Sequence, residues 1–209
     1  MGLKLAGNSD LSGIVRVEAF RQLLASGSPV VVESLAASIP CSPGTLDGAL
    51  EEMDKAGRIR RDETGRVVGS AGLSVIPDRH RLELDGRTFW TWCAYDILGI
   101  FGAKRATGTA FSRSPATGAT ITLDFIDGRP KGDGMVLYRP SDSYAARCTN
   151  LYEEWCPNSN LFEDHMSAQA WSKSRGLEGH ILGLDEASLL ATAEWRPLFV
   201  DRDMTNDRD

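Results

Sequence analysis

Cys93 and Asp96 lie three residues apart inside the strongly apolar stretch 88–98, which brings a thiol and a carboxyl group together. If the segment is helical, that spacing puts both side chains on one face, close enough for a proton to pass between them or through one bound atom. Phe89, Trp90 and Trp92 beside them point to a dry interior. Burial disfavours the charged form of either group unless a partner stabilises it, which is how a carboxyl becomes a useful acid near neutral pH. The same residue types also serve as a small hydrophobe and as a capping or surface carboxylate, so spacing alone leaves both readings open.

A second thiol of interest sits in Trp155-Cys156-Pro157, far along the chain. Cys41 and Cys148 complete the set, and no pair has the local spacing of a zinc ribbon or zinc finger. Any metal site must therefore be assembled by folding. In a reducing compartment all four are expected as free thiols, with Cys41 and Cys148 structural or incidental. His80, His165 and His180 are scattered, and Glu163-Asp164-His165-Met166 reads as a helix start, because adjacent residues on a regular element cannot all face one ion.

The elements that must position these groups follow from periodicity. Residues 10–26 have helical spacing, with Ser9 or Asp10 as N-cap and Gly27 as stop. A short helix fits 32–39, and Pro40-Cys41-Ser42-Pro43 separates it from a third over 44–55 with Leu46, Leu50 and Met53 inward. Ile59, the turn 62–65 and residues 67–69 read as a β-hairpin. Three helices and a hairpin make the winged-helix pattern, which often reads DNA. Here the third helix is acidic, carrying Asp47, Glu51, Glu52 and Asp54, and would repel phosphates. Arg58, Arg60, Arg61 and Arg66 are most simply a solvated wing.

Pro77 and the polar run 78–81 mark a boundary between an N-terminal part, 1–78, and a core over 79–200, followed by a polar tail, 201–209. In the core, 82–84, 107–112, 120–125, 135–138, 149–155 and the buried run 181–184 read as strands, with a turn at 114–118. Helices fit 167–175, closed by Gly176, and 185–195, capped by Asp185. The expected fold is α+β: a winged-helix-like three-helix region, then a mixed α/β core with antiparallel strands. At 209 residues, 42% hydrophobic, the chain can bury a substantial core. A net charge of −6 argues against a nucleic-acid or anionic-membrane surface. The first residues lack an apolar run for a signal peptide or membrane span, so a cytoplasmic protein is expected.

Several motifs occur together and in order: Trp92-Cys93-Ala94-Tyr95-Asp96, then Ser114-Pro115-Ala116-Thr117-Gly118-Ala119, then Cys156, then Trp171-Ser172-Lys173-Ser174-Arg175-Gly176-Leu177-Glu178-Gly179. From about residue 10 to about residue 195 the chain resembles the organomercurial lyases, or alkylmercury lyases (MerB). The resemblance implies cleavage of a carbon–mercury bond by protonolysis, to a hydrocarbon and mercuric ion, without an organic cofactor. It implies that Cys93, Asp96 and Cys156 are the catalytic residues and hold mercury and that small thiols are co-reactants, with a mercuric reductase as a candidate acceptor of the product. Two features depart from the family pattern: Ser114 stands where many members have a third cysteine, and Pro157 follows Cys156.

The residue types suit that chemistry. Mercury is soft, so thiolate outcompetes oxygen and nitrogen ligands, and two thiolates from distant parts of the chain can grip one ion. A carboxyl with a pKa near the operating pH can take a proton from an incoming thiol and deliver it to carbon. Phe89, Trp90, Trp92 and Trp155 would line an apolar pocket for the organic group. Two other readings remain: a homologue that binds metal through the same thiols without turnover, and a winged-helix metal-responsive regulator.

Overall fold

The computed structural model describes residues 10–199. Its first elements are helices α1 (Leu11–Ser26), α2 (Val32–Ser38) and α3 (Pro43–Lys55). Asp10 caps α1 by accepting from the Gly13 N–H, and Gly27 ends it in the left-handed conformation. Leu46, Leu50 and Met53 of α3 face inward. Strands β1 (Ile59–Arg61), β2 (Val67–Ser70) and β3 (Leu73–Ser74) follow. They continue without a break into β4 (His80–Leu84), β5 (Arg87–Thr91), β6 (Gly108–Arg113), β7 (Thr120–Ile126) and β8 (Arg129–Lys131). All eight form one antiparallel sheet in the order β1-β2-β3-β5-β4-β6-β7-β8. A smaller antiparallel sheet has β9 (Val136–Pro140) between β10 (Asn160–Phe162) and β11 (Gly179–Gly183). The architecture is α+β with antiparallel sheets.

Helix α4 (Ala94–Lys104) is the centre of the core: Ala94 through Phe101 are all buried. Against it lies α7 (Leu184–Trp195), and the approach depends on two glycines. A Cβ on Gly99 would fall 2.4 Å from the Trp195 ring, and one on Gly102 would fall 1.9 Å from Thr192 Oγ1. The remaining helices are α5 (Asp142–Ala145) and α6 (His165–Ser174).

Four local expectations are corrected. Residues 88–98 are not one helix: β5 carries Phe89 and Trp90 and ends at Thr91, and α4 starts at Ala94. Residues 149–155 are not a strand, because Leu151–Trp155 form a single wide helical turn. The Asn150 side chain caps that turn by accepting from the Glu153 N–H, while Glu154 Oε1 takes the N–H groups of Thr149 and Asn150. These local bonds occupy donors that a strand would need for a partner. Gly183, not Asp185, is the N-cap of α7. β11 is an edge strand of its sheet, and His180 on it is exposed, so the expected full burial of 181–184 holds for Leu184 alone. The expected tail, 201–209, lies outside the described residues.

Candidate active site

Cys93 is the N-cap of α4 and Asp96 its third residue, so the C-x-x-D spacing is that of a capping box. Asp96 Oδ2 accepts the backbone N–H of Cys93 at 2.9 Å, and the Cys93 side chain faces the N–H of Asp96 in return. A cysteine thus stands where a capping box usually has serine or threonine. Thr91 Oγ1 donates to the Cys93 carbonyl at 3.0 Å and holds the turn from strand to helix.

Cys156 comes from a different segment. It opens a short tight helical turn, Cys156–Asn158, and Pro157 fits at its start, where no N–H donor is needed. The Ser159 carbonyl at the end of this turn accepts the Ala94 N–H at 3.0 Å, so one backbone bond joins the two cysteine segments. On the other side the segment is tied to the end of α3: Leu151 N–H donates to the Ala56 carbonyl and Asn150 Nδ2 to that of Lys55. Arg79 adds a clamp, with Nη1 on the Trp92 carbonyl at 3.1 Å and Nη2 on the Tyr152 carbonyl at 3.3 Å.

These contacts bring Cys93 Sγ, Cys156 Sγ and an Asp96 carboxylate oxygen within 4.8 Å of one another. All three residues are buried. Burial, then hydrogen bonding to the Cys156 sulfur, pushes the Cys93 thiol well up. Burial, then the negative charge of a Cys93 thiolate, does the same to the Asp96 carboxyl. At Cys156 the hydrogen bond from Cys93 favours the thiolate, but burial and the Asp96 charge outweigh it and leave the thiol raised. Each of the three groups therefore holds a proton more tightly than it would in water, and one soft cation bound among these sulfur and oxygen donors would compete with those protons.

A cavity of about 60 Å³ opens onto the trio. Asp96 and Cys156 stand in its wall beside Trp92, Trp155, Trp195 and Leu151. Cys93 is enclosed behind them at 0% exposure. Its roof includes the two-residue turn Ala71-Gly72, with φ of 48° and 87°. A Cβ on Gly72 would lie 2.2 Å from Asp96 Cγ, so only glycine lets the backbone cover the carboxyl group this closely. Trp195 Nε1 donates to the Ala71 carbonyl at 3.1 Å and fixes the turn.

Of the four aromatic residues expected in the pocket, Trp92 and Trp155 line it. Phe89 packs in the core away from it, and Trp90, on the opposite face of β5, is half-buried. Sequence reasoning missed Trp195, Gly72, Arg16 and Arg58. Gly72 carries a turn signal in Ala71-Gly72, but nothing local ties it to Asp96. The expectation of a solvated arginine wing is corrected too. Arg60 donates to Tyr152 Oη at 2.6 Å, Arg61 pairs with Asp54, and Arg58 lines the cavity; Arg66 alone stays outside, pairing with Asp62 in the hairpin turn.

The other candidates lie elsewhere. Ser114 is buried and donates to Glu163 Oε2 at 2.7 Å, and Asp164 caps α6 by accepting from the Ser167 N–H. His80 is buried with Nδ1 2.7 Å from Ser112 Oγ, and burial lowers its pKa to about 3. Cys41 and Cys148 are free, half-buried thiols outside the trio. No described helix is long and apolar enough to cross a membrane.

A family model for MerB, alkylmercury lyase, matches residues 73–195. The alkylmercury lyase of Pseudomonas putida is 31% identical over 168 residues, 78% of this chain and 74% of that protein. That of Staphylococcus epidermidis is 29% identical over 171 residues, 79% of this chain and 74% of its own. Among solved structures, the mercury-bound form of MerB2 superimposes with a TM-score of 0.79 at 25% identity, over 94% of both chains. With a family match spanning more than half its length and including Cys93, Asp96 and Cys156, the chain belongs to the alkylmercury lyase family.

Proposed function

We propose that the protein cleaves the carbon–mercury bond of an organomercurial R–Hg–X by protonolysis, with Cys156 and Cys93 as mercury ligands and Asp96 as proton carrier. The observation that carries this reading is the buried trio of two thiols and one carboxyl group within 4.8 Å, reached by a cavity with indole walls. Cys156, at the cavity wall, meets the mercury first. Its proton leaves with X as HX, and a sulfur–mercury bond forms. Cys93 then adds its sulfur and passes its proton to the Asp96 carboxylate beside it. Two electron-rich thiolates push charge onto the mercury-bound carbon. Asp96 delivers the proton to that carbon, the carbon–mercury bonding pair goes to the new C–H bond, and RH departs. Mercuric ion remains on two thiolates with the Asp96 carboxylate alongside. Two external thiols then remove it and return protons to Cys93 and Cys156, so small thiols are co-reactants and no organic cofactor enters.

The raised pKa of Asp96 supports the proton-carrier role, since a buried carboxylate that binds a proton more tightly than it would in water can take one from Cys93 and hold it until the carbon accepts it. Phenylmercury with excess thiol should give benzene, read by gas chromatography, and Cys93→Ser and Cys156→Ser should each lower release by at least about 10³-fold, the scale of losing a covalent or acid–base group. Wild-type release from either variant would remove the assigned roles.

A further inference from the structure

Arg16 projects from α1 into the wall of the mercury cavity, and its side chain is almost wholly enclosed, with 5% of the residue exposed. Its Nε is buried without a hydrogen-bond partner. Among the described residues its guanidinium forms no ion pair, and neither does that of half-buried Arg58, which lines the same cavity. The neighbouring arginines behave differently: Arg60, Arg61, Arg66 and Arg79 all pair with acidic groups.

A buried guanidinium is costly and is usually paired; here the charges of Asp96, in the same cavity wall, and of Asp10 favour it without forming an ion pair. Here it is held in position. Ser70 Oγ, itself buried, donates to the Arg16 carbonyl at 2.8 Å and fixes that turn of α1 against β2. Arg58 is close enough to repel it, and burial followed by this repulsion lowers Arg16 to about 10, still charged at neutral pH. The rest of the wall is largely apolar, so these two arginines are where a negative group on a bound molecule would be recognised. A guanidinium presents parallel donors that match a carboxylate in bidentate fashion.

We propose that Arg16 and Arg58 form a carboxylate-binding subsite at the mercury cavity, selecting mercurials that carry a carboxylate on the organic group or on the thiol ligand. The proposal rests on the lyase reading for its substrate class. It is independent of that reading for its binding chemistry.

The test compares 4-carboxyphenylmercury with phenylmercury, each presented with uncharged 2-mercaptoethanol or with 3-mercaptopropionate. Binding is read from quenching of tryptophan fluorescence, Trp92 and Trp155 being in the wall, and turnover from release of benzene from phenylmercury and of benzoate from 4-carboxyphenylmercury. Wild type should prefer the carboxylate-bearing form by at least about tenfold. Arg16→Gln and Arg58→Gln should collapse that ratio, whereas Arg16→Lys should retain part of it. A preference that follows the aryl carboxylate places it on the organic group, and one that follows 3-mercaptopropionate places it on the thiol. A preference in binding with neither benzene nor benzoate released keeps the subsite and removes the lyase reading. No carboxylate preference in wild type, a preference that survives both glutamine variants, or equal losses on charged and uncharged mercurials would overturn the proposal. Arg58→Gln, at a half-buried position, keeps the test decisive if Arg16→Gln fails to fold.

Discussion

Asp96 has two duties that pull against each other. As the third residue of α4 it accepts the Cys93 N–H, and as a buried carboxyl it is costly to ionise. An acid whose folded pKa is raised binds its proton more tightly in the native state. Its contribution to stability is complete below the ordinary carboxylate range, near 4, and is lost as pH climbs through the native value. Asp96→Asn keeps an acceptor for the Cys93 N–H and cannot ionise. Its melting temperature should therefore exceed that of wild type by a margin that grows from about pH 4 upward. Parallel melting profiles would show that Asp96 is not buried as an acid. The Cys93–Asp96 pair was legible in sequence because its spacing is local. The contribution of Arg16 was not, because a lone arginine in an amphipathic helix looks like any solvated charge until the fold turns it inward.

At the scale of elements, the site depends on where backbones approach without side chains. Gly72→Ala would put a methyl group into the Asp96 carboxyl at a left-handed backbone position, and should cost more than about 2 kcal/mol by denaturant unfolding, with turnover impaired as well. Gly99→Ala sets two effects against each other. Helix propensity favours alanine by about 1 kcal/mol, but overpacking against the Trp195 ring costs about 1–3 kcal/mol, so a net loss of stability is expected. An increase would mean that α7 can shift away from α4. Strands and caps with strong local signals, such as β6, β7, Asp10 and Gly27, were readable from the sequence. The turn before Cys156 was not. Its Tyr152 and Trp155 suit a strand by composition, and only the bonds of Asn150 and Glu154 and the contacts to α3 make it helical.

Across the whole molecule, Cys93 and Cys156 sit on segments distant in sequence and joined by a single backbone bond, Ala94 N–H to the Ser159 carbonyl. A mercuric ion held by both sulfurs would tie them together. At a thousandfold excess over its dissociation constant it should stabilise the fold by about 4 kcal/mol, raising the melting temperature by roughly 10 °C. Excess dithiol should reverse the shift, and a full shift in Cys156→Ser would contradict a two-sulfur site. The fold class could be anticipated from the alternation of helices and strands, but the meeting of two thiols could not, since it depends on long-range packing. The most direct measurement is a single turnover of Asp96→Asn with one equivalent of phenylmercury, following mercury retention and benzene release together. The variant should capture phenylmercury on its thiols and retain it, with benzene release at least about 10²-fold slower than wild type. Benzene released at the wild-type rate would show that the proton reaches carbon by another route.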